Sequence, residues 1–273
     1  MINEIIEIFG YSFMLRALLV GVLVSLCAAV LGTSLVLKRY SMIGDGLSHV
    51  SYGAFAIAAA AGIAPLYFAI PIVIIAAFFL LRITRSGKIN GDSAVAVLSS
   101  SALAIGMIVL SVSGVSVDIN SYMFGSVLAL TENDVLISVI CSAVVCVLYF
   151  FFYHRIFAVT FDENFSGATG IHTGIYNTLI SVLTAVTIVV GMKLMGALLI
   201  SSLMIFPSLT SMRVCRSFRS VAVCSAAVSV FCFVAGLICS YYIDIPTGAG
   251  IVVLNLIMLL IFSLIGRIRR INE

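Results

Sequence analysis

Charge is what this sequence has least of. Only 9% of its 273 residues are charged, while 63% are hydrophobic. A soluble domain carries about 25% charged and about 45–50% apolar residues. A soluble fold of this length has too little core to hide so much apolar surface, and exposing it drives aggregation. Lipid removes the conflict, and the scarcity of charge fits lipid too, because a charge at the bilayer centre is costly. Alternating apolar and polar stretches are also missing. The apolar runs are continuous, which excludes a membrane β-barrel. No GxxxxGK(S/T) phosphate loop occurs, so any ATPase has to be another chain. None of the seven cysteines forms a CxxC pair. Cys27, Cys141, Cys146, Cys215, Cys224, Cys232 and Cys239 therefore read as small hydrophobes. Cys224, Cys232 and Cys239 fall near one helical face, but no His or acid is interleaved with them. No cleavable signal peptide is expected, because the first apolar run follows Glu4 and Glu7 and is too long for a signal core. A net charge of +3 suggests no nucleic-acid partner.

What is present is a series of apolar runs. A membrane-spanning helix needs roughly 20 mostly apolar residues. Nine runs qualify: 12–37, 47–63, 65–82, 93–113, 134–153, 176–193, 196–212, 220–242 and 249–266. The expected fold is an all-α, polytopic transmembrane bundle, a single domain over residues 1–273 in contact with lipid. Residues 115–130 leave room for a further short or re-entrant segment. Lys38 and Arg39 follow run one, Arg82, Arg85 and Lys88 run three, Arg155 run five, Arg213, Arg216 and Arg219 run seven, and Arg267, Arg269 and Arg270 run nine. These are 12 of the 14 Lys and Arg residues, and the exceptions are Arg16 and Lys193. The opposite connections carry Asp118, Glu132, Asp134 and Asp244. Cytoplasmic loops of membrane proteins are the basic ones. The N-terminus is therefore expected outside and the C-terminus inside.

Three segments carry candidate chemistry. The first is Ser41-Met42-Ile43-Gly44-Asp45-Gly46-Leu47-Ser48-His49, which opens run two. Asp45 and His49 are spaced i, i+4, so a helix puts both on one face, close enough to share a cation. An acid and an imidazole suit zinc, manganese or ferrous iron. The plainer reading is that Asp45 caps the helix and His49 makes an ordinary hydrogen bond inside the bundle. The second segment is Asn90-Gly91-Asp92-Ser93, where Asp92 caps run four, alone or while also adding an acid to a cation path. Ser99, Ser100 and Ser101 follow it, small polar residues that allow close helix packing or line a hydrated path.

The third segment is the longest basic-side connection, about residues 157–175. Phe161, Asp162, Glu163, Asn164 and Phe165 lead to Gly167, Ala168, Thr169 and Gly170. It reads as a short helix stopped by Gly170, with Phe161 and Phe165 on one apolar face. Such a helix docks into a partner's groove or lies on the membrane surface. Two further features are less specific. Gly191 and Gly196 flank Lys193 ahead of run seven, in which Pro207 is expected to kink the helix. Asp244-Ile245-Pro246-Thr247-Gly248 is a tight turn before the last run.

In this order the segments resemble the metal-specific (zinc, manganese or iron) permeases of ABC importers, the ABC type 3 membrane subunits. The resemblance covers nearly the whole chain. Its most specific part is the basic pair followed by Ser41, Gly44-Asp45 and Leu47-Ser48-His49. Phe124-Gly125-Ser126, Ala168-Thr169-Gly170-Ile171, Leu198-Leu199-Ile200 through Pro207, and Asp244 through Gly248 also resemble family patterns. Gly46 stands where the family usually has Ala, Tyr52-Gly53 where Pro-Gly is expected, and Gly167 where a bulkier residue is common.

The resemblance implies a permease in a bacterial plasma membrane. It implies a homodimeric or, less often, heterodimeric permease, two cytoplasmic ATP-binding subunits, and an extracytoplasmic metal-binding protein that delivers the ion. The permease itself would be no enzyme and would hold no tightly bound cofactor, only a transported divalent ion. Asp45 and His49, with Asp92, become the expected metal ligands. Phe161, Asp162, Glu163, Phe165, Ala168 and Gly170 become the expected ATPase-coupling residues. Two rival readings are a cobalamin- or siderophore-type permease and an ion-gradient-driven metal carrier. The first is usually longer and passes a larger ligand. The second typically shows inverted internal repeats, and none is evident here.

Overall fold

The computed structural model describes residues 12–85, 90–114, 125, 131–243 and 245–272. Among these residues every regular element is a helix. There are ten: α1 (Ser12–Leu37), α2 (Ile43–Ala60), α3 (Pro65–Arg85), α4 (Gly91–Ser113), α5 (Glu132–Phe151), α6 (Tyr153–Phe161), α7 (Glu163–Ala168), α8 (Thr173–Met212), α9 (Phe218–Ile243) and α10 (Thr247–Asn272). Seven of them, all but α2, α6 and α7, are long and apolar enough to cross a membrane. The expected segment at 115–130 lies outside the described residues apart from Gly125, as do Lys88, Asp118, Phe124, Ser126 and Asp244.

Three of the nine expected runs account for the difference between nine and seven. Run two falls on α2, an 18-residue helix whose Asp45, Ser48, His49 and Ser51 lower its apolar content. Runs six and seven fall together in α8, 40 residues long. A straight helix of that length would extend about 60 Å, twice the hydrocarbon core of a bilayer. It is not straight. Gly196 has φ 80° and ψ 164°, a conformation essentially reserved for glycine, inside the helical run. A Cβ at Gly191 would lie 2.5 Å from Ile200 Cδ1. In a continuous helix these residues are about 13.5 Å apart along the axis. The chain therefore doubles back at Gly196, and the smallness of Gly191 lets the two halves of α8 meet.

Helix α1 is the centre of the packing. Ala17, Val20, Val24, Ala28 and Leu31 recur every three or four residues, and all are fully buried. A Cβ at Gly32 would lie 1.9 Å from the Met204 carbonyl oxygen, so here two backbones touch. Small residues permit that approach, and dispersion between close-packed helices is what holds a bundle together in lipid. Buried hydroxyls add to it: Ser208 and Ser225 of α8 and α9 both donate to the Ala29 carbonyl, and Ser229 donates to that of Ser25. Helices α2 and α4 meet through glycines as well. Cβ atoms at Gly53 and Gly46 would lie 2.6 Å from the Ala102 carbonyl oxygen and 2.5 Å from Val95 Cγ1.

These contacts fix helix directions. Along α1 and α5, Arg16 meets Glu132, Cys27 meets Cys146 and Ser34 meets Tyr149, so the two helices are parallel. Helices α2 and α4 are parallel too, since Gly46 faces Val95 and Gly53 faces Ala102. Helices α1 and α9 are antiparallel, with Gly21 against Phe233, Ser25 against Ser229 and Ala29 against Ser225. The first half of α8 is antiparallel to α1, with Lys38 on Asn177 and Val24 on Gly191.

Candidate functional site

The Asp45–His49 pair sits in the first two turns of α2, as its spacing requires. His49 Nε2 is 3.7 Å from Asp45 Oδ2. That is too long for a good hydrogen bond. Two ligands of one transition-metal ion, each about 2.0–2.2 Å from it, are roughly 3 to 3.5 Å apart, so a small side-chain rotation closes the pair on a cation. Both side chains are part-exposed, 49% for Asp45 and 25% for His49.

Neither half of the plainer reading describes the pair. The N-cap of α2 is Met42, with no side-chain cap bond, and Asp45 lies inside the first turn. There its charge is favourable to the helix dipole, but it caps nothing. His49 Nδ1 is buried and has no hydrogen-bond partner among the described residues. An imidazole that is merely structural normally satisfies that nitrogen.

The surroundings hold the turn rigidly. Ser48 donates to the Asp45 carbonyl at 2.7 Å and lies 3.5 Å from the Ser201 hydroxyl of α8. The Met204 sulfur would be 3.4 Å from a Cβ on Gly44. The far half of α8 thus backs the turn that carries the pair. Gly46 is explained by Val95, which occupies the space an alanine methyl would need. No bend appears at Tyr52-Gly53: α2 runs on to Ala60, and Gly53 serves the contact with α4.

Asp92 is not the cap of its helix. The N-cap of α4 is Asn90, and Asp92 is exposed in the first turn. Among the described residues no three His, Cys, Asp or Glu side chains converge well enough to hold an ion, so Asp92 is not brought to the pair. It lies one turn from Val95 and hence at the same end of the α2–α4 contact.

The basic-side segment folds differently from the single helix expected. Helix α6 ends at Phe161, Asp162 is extended (φ −147°, ψ 100°), and α7 begins at Glu163. The Asp162 carboxylate caps α7 by accepting from the Phe165 amide at 2.9 Å. This break separates Phe161 from Phe165, so they share no helix face. Phe161 instead stacks in a cluster with Phe157 and with Phe218 of α9, its ring 6.3 Å from that of Phe218. Phe165 is 68% exposed. Gly170 (φ 85°) ends α7 as expected, and the Ile171 amide bonds the Ser166 carbonyl across it. Ala168 and Gly170 are exposed beside it. Glu163 lies 3.9 Å from Lys38, whose ammonium also donates to Asn177. The short helix is thereby tied to the ends of α1 and α8.

Sequence reasoning missed one constellation. Lys193 of α8 and Asp134 of α5 form a 2.6 Å ion pair, largely buried. Thr131 caps α5 reciprocally with Asp134. Arg16 of α1 pairs with the neighbouring Glu132, also at 2.6 Å. The two bases that break the charge asymmetry are thus the two paired with acids at the start of α5. Their opposite signs at one expected loop level were the available signal. At the same end, a Cβ on Gly125 would lie 2.4 Å from the Met195 carbonyl carbon, so backbone seats on backbone beside the α8 turn.

Close-packed, glycine-mediated apolar helices define an α-helical membrane domain, with an ionisable pair at the start of one helix. The chain belongs to the ABC 3 transport family, whose model matches residues 10–266. It is 27% identical over 262 residues to the manganese import system permease protein ScaB of Streptococcus gordonii, covering 96% of this chain and 94% of that one. It is 30% identical over 248 residues to the high-affinity zinc uptake system membrane protein ZnuB of Buchnera aphidicola, covering 90% and 95%. Among solved structures it is similar to PsaBC from Streptococcus pneumoniae in complex with Fab, with a TM-score of 0.86 and 28% identity over 96% of this chain and 95% of that one. The chain is a membrane component of a transporter.

Proposed function

We propose that this chain is the permease subunit of an ATP-driven importer of a divalent transition-metal ion into the bacterial cytoplasm. The observation that carries the proposal is the part-exposed Asp45–His49 pair, whose imidazole Nδ1 is buried and has no partner among the described residues. A dehydrated divalent ion cannot cross hydrocarbon, so the path must offer it ligands, and few enough for release. Asp45 and His49 would supply two, and Asp92 an acid on the way to them. Relatives named for manganese and zinc import support the same cargo class.

The reading includes nine crossings, with the N-terminus outside and the C-terminus inside. The helix directions support this count. Nine crossings make α1 the first, α2 the second, α4 the fourth, α5 the fifth, the halves of α8 the sixth and seventh, and α9 the eighth. Parallel packing of α1 with α5 and of α2 with α4, and antiparallel packing of α1 with α9, then follow from parity. A seven-crossing chain would set α1 and α5 antiparallel. Cys215, in the α8–α9 connection, is then labelled by a membrane-impermeant maleimide in inside-out vesicles and not in right-side-out ones. The reverse result would invert the orientation.

Energy would come from two ATP-binding subunits on a permease dimer, and the ion from an extracytoplasmic binding protein. The surface offered to the ATPase is α7, with Phe165 as its exposed anchor and the Lys38–Glu163 contact passing force to α1 and α8. The testing experiment is reconstitution with the partner subunits and radiolabelled zinc, manganese or ferrous iron. At least one ion accumulates in an ATP-dependent manner. A Phe165→Asp permease fails to retain the ATPase on purification, because a buried aromatic anchor becomes a desolvated charge. ATP-independent accumulation would overturn the proposal in favour of a gradient-driven carrier.

A further inference from the structure

The α1–α5 seam carries chemistry that transport of a metal ion does not use. Cys27 of α1 is buried, Cys146 of α5 is half-buried, and their sulfurs are 3.3 Å apart. The Cys27 thiol also lies 3.4 Å from the Ser142 carbonyl, one turn before Cys146. The two residues are 119 positions apart in the chain and read separately as apolar filler. Together they form a vicinal dithiol. Both line a groove of about 500 Å³ between α1 and α5, walled by Leu26, Val30, Val145 and Phe150. Phe150 and Phe151 at its rim are 85% and 76% exposed, so the groove opens on the outer face of the bundle. Its apolar walls exclude ions and admit small uncharged molecules.

We propose that Cys27 and Cys146 are a site of oxidation by hydroperoxides, and that their disulfide locks the helix leading to the coupling segment onto the core of the bundle. One sulfur attacks the peroxide O–O bond and becomes a sulfenic acid, while the hydroperoxide leaves as the alcohol. The second sulfur attacks the sulfenic sulfur, the S–S bond forms and water leaves. Two electrons pass from the thiols to the peroxide. The two thiol hydrogens and the hydroperoxide's own hydrogen end in the alcohol and the water. A disulfide is about 2.05 Å long, so the sulfurs close by a little over 1 Å, within reach of side-chain rotation. Helix α5 runs into α6 and α7, the segment proposed to meet the ATPase. A covalent bond from α5 to the central α1 therefore restrains any motion that segment passes inward.

The effect on transport rests on the proposed function, whereas the disulfide itself is read without it. The reconstituted complex is treated with cumene hydroperoxide, an apolar hydroperoxide, and analysed by peptide mass spectrometry and by ATP-driven uptake. The expected result is a linked Cys27–Cys146 peptide lighter by two hydrogens, with uptake lost and then restored by dithiothreitol. Cys27→Ala and Cys146→Ala, both apolar and small enough to fold, keep their uptake under the same treatment. Both thiols remaining alkylatable after treatment overturns the site, whether or not the complex transports. A linked peptide with unchanged uptake overturns the lock, and so does an equal loss of uptake in the alanine variants.

Discussion

Asp45→Asn and His49→Gln each abolish metal uptake, lowering it on the order of a hundredfold or more, while the permease still assembles with its ATPase. Both substitutions keep the shape and remove the ligand. Removing the outer hydrogen-bonding partners of a metal ligand already costs about 10–100-fold, so losing the ligand itself costs at least as much. The helix depends little on either side chain: Asp45 adds only a favourable charge to its first turn and caps nothing, and His49 Nδ1 has no partner among the described residues. Thermal stability in detergent therefore stays close to that of the unsubstituted protein. This pairing of lost uptake with kept stability separates a ligand from a structural residue. Uptake near the unsubstituted level in either variant, with metal limiting, would remove the proposed site. Asp92→Asn has a smaller effect, because Asp92 is exposed and stands apart from the pair.

Lys193→Met destabilises the protein by about 3–5 kcal/mol, the usual cost of stranding one charge of a buried ion pair. The Asp134 side chain is 9% exposed and that of Lys193 18%, so solvent screens little of it. Combining Lys193→Met with Asp134→Asn recovers most of the loss, since no charge is then left buried. Thermal unfolding of the two single variants and the double variant gives the coupling directly. Additive losses would show that the two groups do not depend on each other. Arg16→Gln, by contrast, costs little, because Glu132 across from it is 82% exposed and water replaces the partner.

The two candidate sites differ in how much of each could be read from the chain. Asp45 and His49 are four residues apart, so one turn of helix brings them together and local geometry suffices. The proposed coupling segment was legible in composition and in its Gly170 stop. Its shape was not, because the choice of Asp162 as a cap rather than a helical residue splits Phe161 from Phe165. Phe161 then goes to Phe218, a partner 57 positions away that no local pattern announces. No local pattern announced the Lys193–Asp134 pair or the Cys27–Cys146 contact, because each joins helices far apart in the chain; only the opposite signs at one loop level pointed to the ion pair.

What the amino-acid sequence determined by itself is the solvent and the elements. Scarce charge and long apolar runs require lipid, and lipid requires helices, because backbone groups with no water must bond within their own segment. The distribution of Lys and Arg underlies the proposed orientation. Tertiary structure alone decided which helices run beside which, because in lipid nearly every helix face is apolar and hydrophobicity cannot choose between neighbours. That choice was made by shape, through Gly32 on the Met204 backbone, Gly53 on that of Ala102, and Gly196 turning α8 back on itself.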